Sequence, residues 1–309
     1  CDRSIHILRA EMPGPVMGKL VPKLKQTAKI LYLIYIVMTV LEMILLLCGG
    51  MSLFDSALHS FATAGTGGFG IKGDSIASYS PYLQWVIAAF MFLFGINFNI
   101  YYLLLVRRFR SVLKSTETWC YIAICLISVS IITGNIYSIY GNLPDSVRAS
   151  AFQVASLVTT TGFSTADFNL WPGLSKGILL ILMFIGGCAG STAGGLKVSR
   201  VVMMINPRSV SAVRIEGKKV DDTTLNGVNV YFALYMVIYF AVFLLLCLEP
   251  FDFETNFTAV AACYNNIGPG FGLAGPTGNF GMFSVMSKLV LTFDMIAGRL
   301  ELIPLFVLL

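Results

Sequence analysis

Charged residues are scarce in this chain of 309 residues. They make up 12% of it, and hydrophobic residues reach 56%. Soluble domains carry roughly 25% charged residues. So few charges cannot cover a water-exposed surface, which excludes an ordinary soluble domain and makes an integral membrane protein in a lipid bilayer the expected class.

Motifs of soluble chemistry are missing as well. No CxxC pair occurs, and most of the seven cysteines lie within apolar segments, which favours small buried side chains over a disulfide or metal framework. Neither a GxGxxG nor a P-loop lysine motif occurs, so the sequence predicts no nucleotide site. No constellation of His, Asp, Glu or Ser indicates catalysis at membrane depth. We therefore expect no enzyme, no cofactor in this chain and no nucleic acid partner.

Long apolar runs dominate the chain. A membrane-spanning helix needs about 20 mostly apolar residues. Five runs qualify readily and predict an all-α fold: 30–48, 83–106, 119–140, 228–248 and 284–309. A sixth run, 177–205, qualifies only if it is interrupted, because Gly186-Gly187 and Gly194-Gly195 break it.

Basic residues mark one side of the membrane. By the positive-inside rule, the connections that carry them are predicted to be cytoplasmic. The other connections, 49–82, 141–176 and 249–283, hold most of the acidic residues and are predicted to be external. The basic clusters comprise Lys19, Lys23, Lys25 and Lys29, then Arg107, Arg108, Arg110 and Lys114, and then Lys197, Arg200, Arg208, Arg214, Lys218 and Lys219.

The external connections repeat one internal order. Each begins with an apolar run too short to cross a bilayer, at 55–65, 149–159 and 255–265. A glycine-centred segment follows each run: TGGFG (66–70), TTGFS (160–164) and NIGPG (266–270). Such self-similarity predicts a repeated structural unit, in which a helix is followed by a re-entrant half-helix, an extended loop and a second helix.

This unit is one way to build an ion filter. Non-helical backbone at membrane depth is tolerated only where protein or a water-filled cavity covers it. A half-helix that ends at the pore axis favours a cation there, because its carboxyl end carries partial negative charge. The backbone carbonyls of the next segment then replace the cation's hydration shell. Glycine permits the required backbone, threonine adds a hydroxyl oxygen, and an aromatic residue can wedge the loop against neighbouring helices.

The broken run suggests a gate. FIGGCAGSTAGG (184–195) contains five glycines, each of which costs a helix roughly 1 kcal/mol relative to alanine. Left unwound below a filter, it would act as a movable plug. The alternative is a close helix–helix contact through small residues. The predicted gate residues are Gly186, Gly187, Gly190, Ser191, Thr192, Gly194 and Gly195.

Arg299 is a further candidate gate residue, because a charge within an apolar helix is costly and usually functional. The alternative is an arginine at the inner interface that reaches the lipid headgroups or pairs with Glu301.

Four motifs identify a family resemblance. They are AEMPGP (10–15), GGCAGSTAGGLKVSR (186–200), NNIGPGFG (265–272) and MIAGRLE (295–301). Together with the three segments, which look like degenerate forms of the potassium-channel filter TVGYG, they resemble the Trk/Ktr family of potassium uptake proteins, and its TrkH type more closely than its KtrB type. The resemblance runs over essentially the whole chain.

The resemblance implies four such units with pseudo-fourfold symmetry around a central pore. Only three are visible, which we interpret as the second, third and fourth, so we expect a chain that lacks the first unit. The divisions are a cytoplasmic lead-in (1–29), the second unit (30–110), the third unit with the broken helix (111–205), a cytoplasmic linker (206–227) and the fourth unit (228–309). The implied filter residues are Thr66, Gly67, Gly68, Phe69, Gly70, Thr160, Thr161, Gly162, Phe163, Ser164, Asn266, Ile267, Gly268, Pro269 and Gly270, with potassium at Thr66, Gly67, Thr160, Thr161, Asn266 and Ile267.

The implied function is potassium uptake across the plasma membrane (the inner membrane of bacteria) through a channel-like pore. The intramembrane loop 186–195, which Arg299 contacts, would obstruct permeation until it moves. The resemblance also implies a homodimer and a cytosolic ring of nucleotide-binding regulatory subunits. One alternative stays open, an ion-coupled secondary transporter that uses the broken helix as its substrate site. A membrane-embedded enzyme would need a constellation of His, Asp, Glu or Ser at membrane depth, which the sequence lacks. The choice between potassium and sodium is also open.

Overall fold

The structure is a computed structural model that describes residues 24–205, 214–215, 218–219 and 222–299. Helices dominate these residues, and a two-stranded antiparallel hairpin lies in the basic linker. The helices are α1 Leu24–Cys48, α2 Leu53–Ala64, α3 Pro81–Phe94, α4 Phe98–Leu105, α5 Phe109–Leu113, α6 Thr116–Tyr140, α7 Leu143–Val158, α8 Gly173–Phe184, α9 Val198–Ile205, α10 Asp222–Leu246, α11 Phe253–Tyr264 and α12 Val285–Arg299; the strands are β1 Arg214–Ile215 and β2 Lys218–Lys219.

Three of the described helices are long and apolar enough to cross a membrane. These are the stretches Ala28–Cys48, Thr116–Tyr140 and Asn226–Leu246, within α1, α6 and α10. Their lipid-facing character is visible in α1, where side chains such as Tyr32, Leu33 and Val37 are exposed although the helix is apolar. Each of these helices opens one copy of the predicted unit.

Each copy continues with a short helix, as the sequence predicts. We call α2, α7 and α11 the re-entrant helices. An oxygen-bearing side chain caps the start of each one by accepting the N–H three residues on: Ser52 from Asp55 at 3.1 Å, Asn142 from Asp145 at 2.9 Å and Asp252 from Thr255 at 3.1 Å. Such caps satisfy amide groups that have no partner inside the helix.

The apolar run 83–106 does not form one continuous helix, contrary to the prediction from hydropathy. It divides into α3 and α4, which meet at an angle of 90°. The break lies at Gly95, where an added Cβ would overlap the hydroxyl of Tyr121 and lie 2.8 Å from the Cγ2 of Thr159. The first copy therefore has a broken second helix, like the second copy.

The predicted interruption of 177–205 is confirmed. Helix α8 ends at Phe184 and α9 begins at Val198. The residues between them, 185–197, form what we call the intramembrane loop. Its two ends run side by side: the N–H of Gly186 donates to Leu196 O at 2.7 Å, and that of Val198 to Gly187 O at 3.2 Å. Because the segment is unwound, a helix–helix contact through small residues does not describe it.

The three copies are tied together by the connections that follow the filter segments. Ser75 accepts the N–H of Ser164 at 3.2 Å, and the N–H of Ile76 donates to Ser164 O at 3.0 Å. Between the next two copies, the Asn169 amide both donates to Gly272 O, at 3.2 Å, and accepts its N–H, at 2.9 Å. These ties fix neighbouring segments relative to one another.

Candidate ion filter and gate

The three re-entrant helices end in the same hydrogen-bond pattern. In the first copy, Thr66 N–H donates to Thr63 O at 3.1 Å and Gly67 N–H to Ala62 O at 2.8 Å. This pattern is the Schellman motif, which reverses the chain after a helix. The equivalent bonds run from Thr160 to Leu157, Thr161 to Ser156, Asn266 to Cys263 and Ile267 to Ala262.

The first and third residues of every segment have left-handed backbone dihedrals. A threonine in this region costs roughly 1–2 kcal/mol, and glycine is the usual residue at this position of a Schellman motif. Strain of this kind clusters at functional sites. The φ angles are 51° at Thr66, 54° at Thr160 and 56° at Asn266, and then 61° at Gly68, 87° at Gly162 and 111° at Gly268.

The alternating backbone leaves carbonyl oxygens without donors. Among the hydrogen bonds of the described residues, none reaches the carbonyls of the first three residues of any segment. Carbonyl oxygens without a donor can serve as ligands for a cation or water. In the second segment the last two carbonyls are anchored instead: Ser156 Oγ donates to Phe163 O at 2.6 Å, and Ile76 N–H to Ser164 O at 3.0 Å.

Neighbouring segments approach each other too closely for side chains. A Cβ added to Gly68 would overlap the carbonyl oxygen of Thr161, and one added to Gly162 would overlap that of Ile267. In both cases the third residue of one segment lies against the second carbonyl of the next. The same contact therefore relates the first copy to the second and the second to the third, as rotation about a common axis requires.

Only one of the two filter aromatics acts as a wedge. Phe163 is fully buried and packs edge-on against His59 of the first re-entrant helix, with ring centroids 5.5 Å apart. Phe69 is 75% exposed, and its ring folds over Gly67. The expectation of an aromatic wedge is thus correct for Phe163 and wrong for Phe69, because no described neighbour covers the first segment on that side.

The intramembrane loop touches the first residue of two segments. Thr66 Oγ1 donates to Thr192 O at 3.0 Å, and Thr160 Oγ1 accepts the N–H of Gly194 at 2.6 Å. These are the two strained threonines. The loop thus binds directly to the base of the predicted filter, at the carboxyl ends of the re-entrant helices.

Arg299 contacts the same loop. Its guanidinium donates to Thr192 O at 3.3 Å, so this carbonyl accepts bonds from both Arg299 and Thr66. Its predicted alternative partner, Glu301, lies outside the described residues. In the third segment, the side chain of Asn266 donates to Met295 O of α12 at 3.0 Å rather than to the loop.

Two contacts of the intramembrane loop are not predicted by any pattern in the sequence. The loop binds the break in the first copy, since Cys188 N–H donates to Gly95 O at 2.9 Å and Phe98 N–H donates to Gly190 O at 3.0 Å. Glu117 of α6 also binds it, accepting the N–H of Ala189 at 2.6 Å. An acidic residue in a first helical turn is an ordinary feature, so the sequence carries no signal for this role.

Comparison with known proteins identifies the family. The sequence profile of a family described as TrkH, a cation transport protein, matches residues 3–309. The chain belongs to the TrkH family. Among curated members of the TrkH family, the Trk system potassium uptake protein TrkH of Salmonella typhimurium is 33% identical over 321 residues, 99% of this chain and 66% of that protein. The Trk system potassium uptake protein TrkG of Escherichia coli is 32% identical and is covered over 65% of its length.

A solved structure of the TrkH family has the same fold. The crystal structure of the potassium transporter TrkH from Vibrio parahaemolyticus superposes with a TM-score of 0.85 at 30% sequence identity, over 99% of this chain and 68% of that one. The fold is thus that of a TrkH-type membrane transport protein. The chain spans 66% of the length of the curated relatives named TrkH from Salmonella and Escherichia coli.

Proposed function

We propose that the protein takes part in potassium uptake across the plasma membrane through a channel-like pore. Membership of the TrkH family and the names of its relatives, which are potassium uptake proteins, support the ion and the direction of transport. The three segments supply the candidate ligands, and the intramembrane loop supplies the candidate gate. The basic connections face the cytoplasm in this proposal, and the filter segments face outward.

The observation that carries the filter is the recurrence of one strained backbone in three copies. Each copy has a positive φ at positions one and three and carbonyls without donors, and in the first two copies the glycine at position three lies against the next segment. A turn that only connected two helices would not repeat this geometry at Thr66, Thr160 and Asn266. Potassium is accordingly bound by the oxygens of the first two residues of each segment, with the hydroxyls of the two threonines within reach.

The contacts of the intramembrane loop support its role as a gate. Thr192 O and Gly194 N–H bind the threonines at the base of the filter, and Arg299 holds Thr192 from α12. Permeation requires the loop to give up these bonds. We further propose that a cytosolic ring of nucleotide-binding subunits controls this movement and that the protein is a homodimer. Most of the linker 206–227, a candidate docking region, lies outside the described residues.

A glycine substitution tests the filter. Gly162→Ala places a methyl group on the Ile267 carbonyl at a φ of 87°, so we expect a loss of potassium-over-sodium preference or of flux. The matched control is Gly177→Ala in the adjacent α8, where no atom lies within 4 Å of an added Cβ. The measurement is rubidium uptake into reconstituted vesicles with potassium or sodium as competitor. Equal selectivity together with equal flux in the two variants would count against the filter.

Broken helices favour one other candidate, a carrier that couples substrate to a second ion at a discontinuous helix. The apolar run that forms α3 and α4 is broken next to the intramembrane loop, and the run that forms α8 and α9 is broken by the loop itself. The same vesicles separate the two. A channel-like protein passes ions without a stoichiometric second ion, whereas a fixed ratio of potassium to sodium or protons would support the carrier.

A further inference from the structure

One carboxylate ties the intramembrane loop to the helix that follows it. Glu117, in the first turn of α6, is buried with 7% of its surface exposed. Its Oε1 accepts the N–H of Ala189 at 2.6 Å and the N–H of Ser199 at 3.2 Å. Ala189 is the fifth residue of the loop, and Ser199 lies in the first turn of α9. A single oxygen atom from a third helix therefore joins the loop at Ala189 to the start of α9.

The chemistry of this bridge is stronger than an ordinary contact. The first amide groups of a helix have no partner inside it, and a negative charge beside them is stabilised by the helix dipole. Glu117 acts in this way on α9 although it belongs to α6. Hydrogen bonds to a carboxylate are roughly twice as strong as bonds between neutral groups.

Most of the remaining restraints on the loop are bonds between neutral groups, apart from the Arg299 guanidinium at Thr192 O and the Lys197 ammonium at Ala193 O. Its ends are paired by backbone bonds, from Gly186 to Leu196 and from Val198 to Gly187. Its tip is bound to the filter through Thr66 and Thr160. Among these interactions, Glu117 is the charged acceptor that joins the base of the loop to a different helix.

We propose that Glu117 is the positioning residue that fixes the intramembrane loop in its closed place below the filter. The loop leaves the filter when this oxygen releases the N–H of Ala189 or Ser199, or when the start of α6 moves together with the loop. Helix α6 begins directly after the basic connection 107–114, so a displacement of that connection is transmitted to the loop through Glu117. This role rests on the gating function proposed above.

A native cysteine reports on the position of the loop without any assay of transport. Cys188 is fully buried next to Ala189, and its N–H donates to Gly95 O at 2.9 Å. Cys263, which is buried in α11, is an internal control for general loosening, and exposed Cys48 is a reference for reagent access. Alkylation of the reconstituted protein by a small maleimide, mapped by mass spectrometry, gives all three rates in one sample.

With Glu117→Ala we expect Cys188 to be labelled at least about tenfold faster, with the rate at Cys263 unchanged, because two charge-assisted bonds are lost. Glu117→Gln keeps an oxygen acceptor without the charge and is expected to give a smaller but measurable increase. The glutamine variant alone tests the proposal if the alanine variant does not fold. An unchanged rate at Cys188 in both variants would overturn the proposal, as would a parallel rise at Cys188 and Cys263.

Flux measured in the same vesicles separates this proposal from the proposed function. Faster labelling of Cys188 together with higher basal rubidium flux supports both. Faster labelling without any change in flux supports the positioning role of Glu117 and contradicts the role of the loop as a gate.

Discussion

Backbone strain at single residues distinguishes the candidate filter. Thr66 and Thr160 occupy left-handed positions where glycine is the unstrained choice, at a cost of roughly 1–2 kcal/mol each. Both residues bind the intramembrane loop through the hydroxyl oxygen Oγ1, a contact that glycine could not make. In the proposed filter, a cation entering from the loop side would meet the Thr160 oxygen, which accepts the N–H of Gly194. Loop and cation would therefore compete for this oxygen.

Thr160→Val tests this competition. Valine has the shape of threonine, so it keeps the backbone strain but leaves the N–H of Gly194 without its acceptor. We expect higher basal rubidium flux, because an unsatisfied buried amide costs about 1–3 kcal/mol and favours release of the loop. Thr160→Ser keeps the hydroxyl and is expected to behave like the wild type. Basal flux in the valine variant equal to that in the serine variant would contradict the competition.

At this scale the sequence predicts the three glycine-centred segments better than the partners of their residues. Repetition of short glycine-centred segments suffices to locate Thr66, Thr160 and Asn266. The contact of Glu117 with Ala189 joins residues far apart in the chain, and neither residue is unusual in its local context. Such a contact follows only from tertiary packing.

Among the elements, the re-entrant helices are the most regular. Their caps at Ser52, Asn142 and Asp252 have the same geometry, although the three residues differ. Removing such a cap typically costs about 1 kcal/mol. The cap fixes where each helix begins, and the Schellman motif fixes where it ends, so the position of each filter segment follows from local chemistry.

The cap of α11 predicts a pH dependence. Hydrogen bonds from the Thr255 hydroxyl, at 2.6 Å, and from its amide hold the pKa of the Asp252 carboxyl below its usual range. Because the folded pKa is the lower one, this stabilisation is complete above the unfolded pKa of about 3.9. It is lost as the pH falls through the folded value.

Asp252→Asn keeps a capping oxygen but removes the titration. Between about pH 5 and about pH 2.5 we expect the melting temperature of the wild type in detergent to fall further than that of the variant. Thermal unfolding followed by circular dichroism measures the difference. Identical slopes for the two proteins would show that this carboxyl does not stabilise the folded state through its charge.

The break between α3 and α4 shows where sequence reasoning about elements fails. Hydropathy is continuous through 83–106, and the single Gly95 is a common feature of membrane helices. The helix breaks because Tyr121 and Thr159 pack where a side chain would stand and because Gly95 O accepts a bond from the loop. The dense glycines of 184–195, in contrast, are visible in the sequence, and the interruption there is correctly predicted.

At the scale of the whole molecule, the proposed pore depends on the three copies being related by rotation about one axis. The contact of Gly68 with the Thr161 carbonyl and that of Gly162 with the Ile267 carbonyl are the same contact made twice. Composition predicts a membrane protein, and the repeat predicts several equivalent filter walls. Neither predicts how the walls meet, because that depends on ties between connections, such as the one from Asn169 to Gly272.

The most direct test of the central claim is to locate the bound cation. Crystals of the protein grown with rubidium in place of potassium would give an anomalous signal at the ion. Our account predicts a peak enclosed by the carbonyl oxygens of Thr66, Thr160 and Asn266 and of the residues that follow them. That peak should disappear in Gly162→Ala and persist in Gly177→Ala. Rubidium peaks located elsewhere in the protein, with none at these carbonyls, would contradict the account.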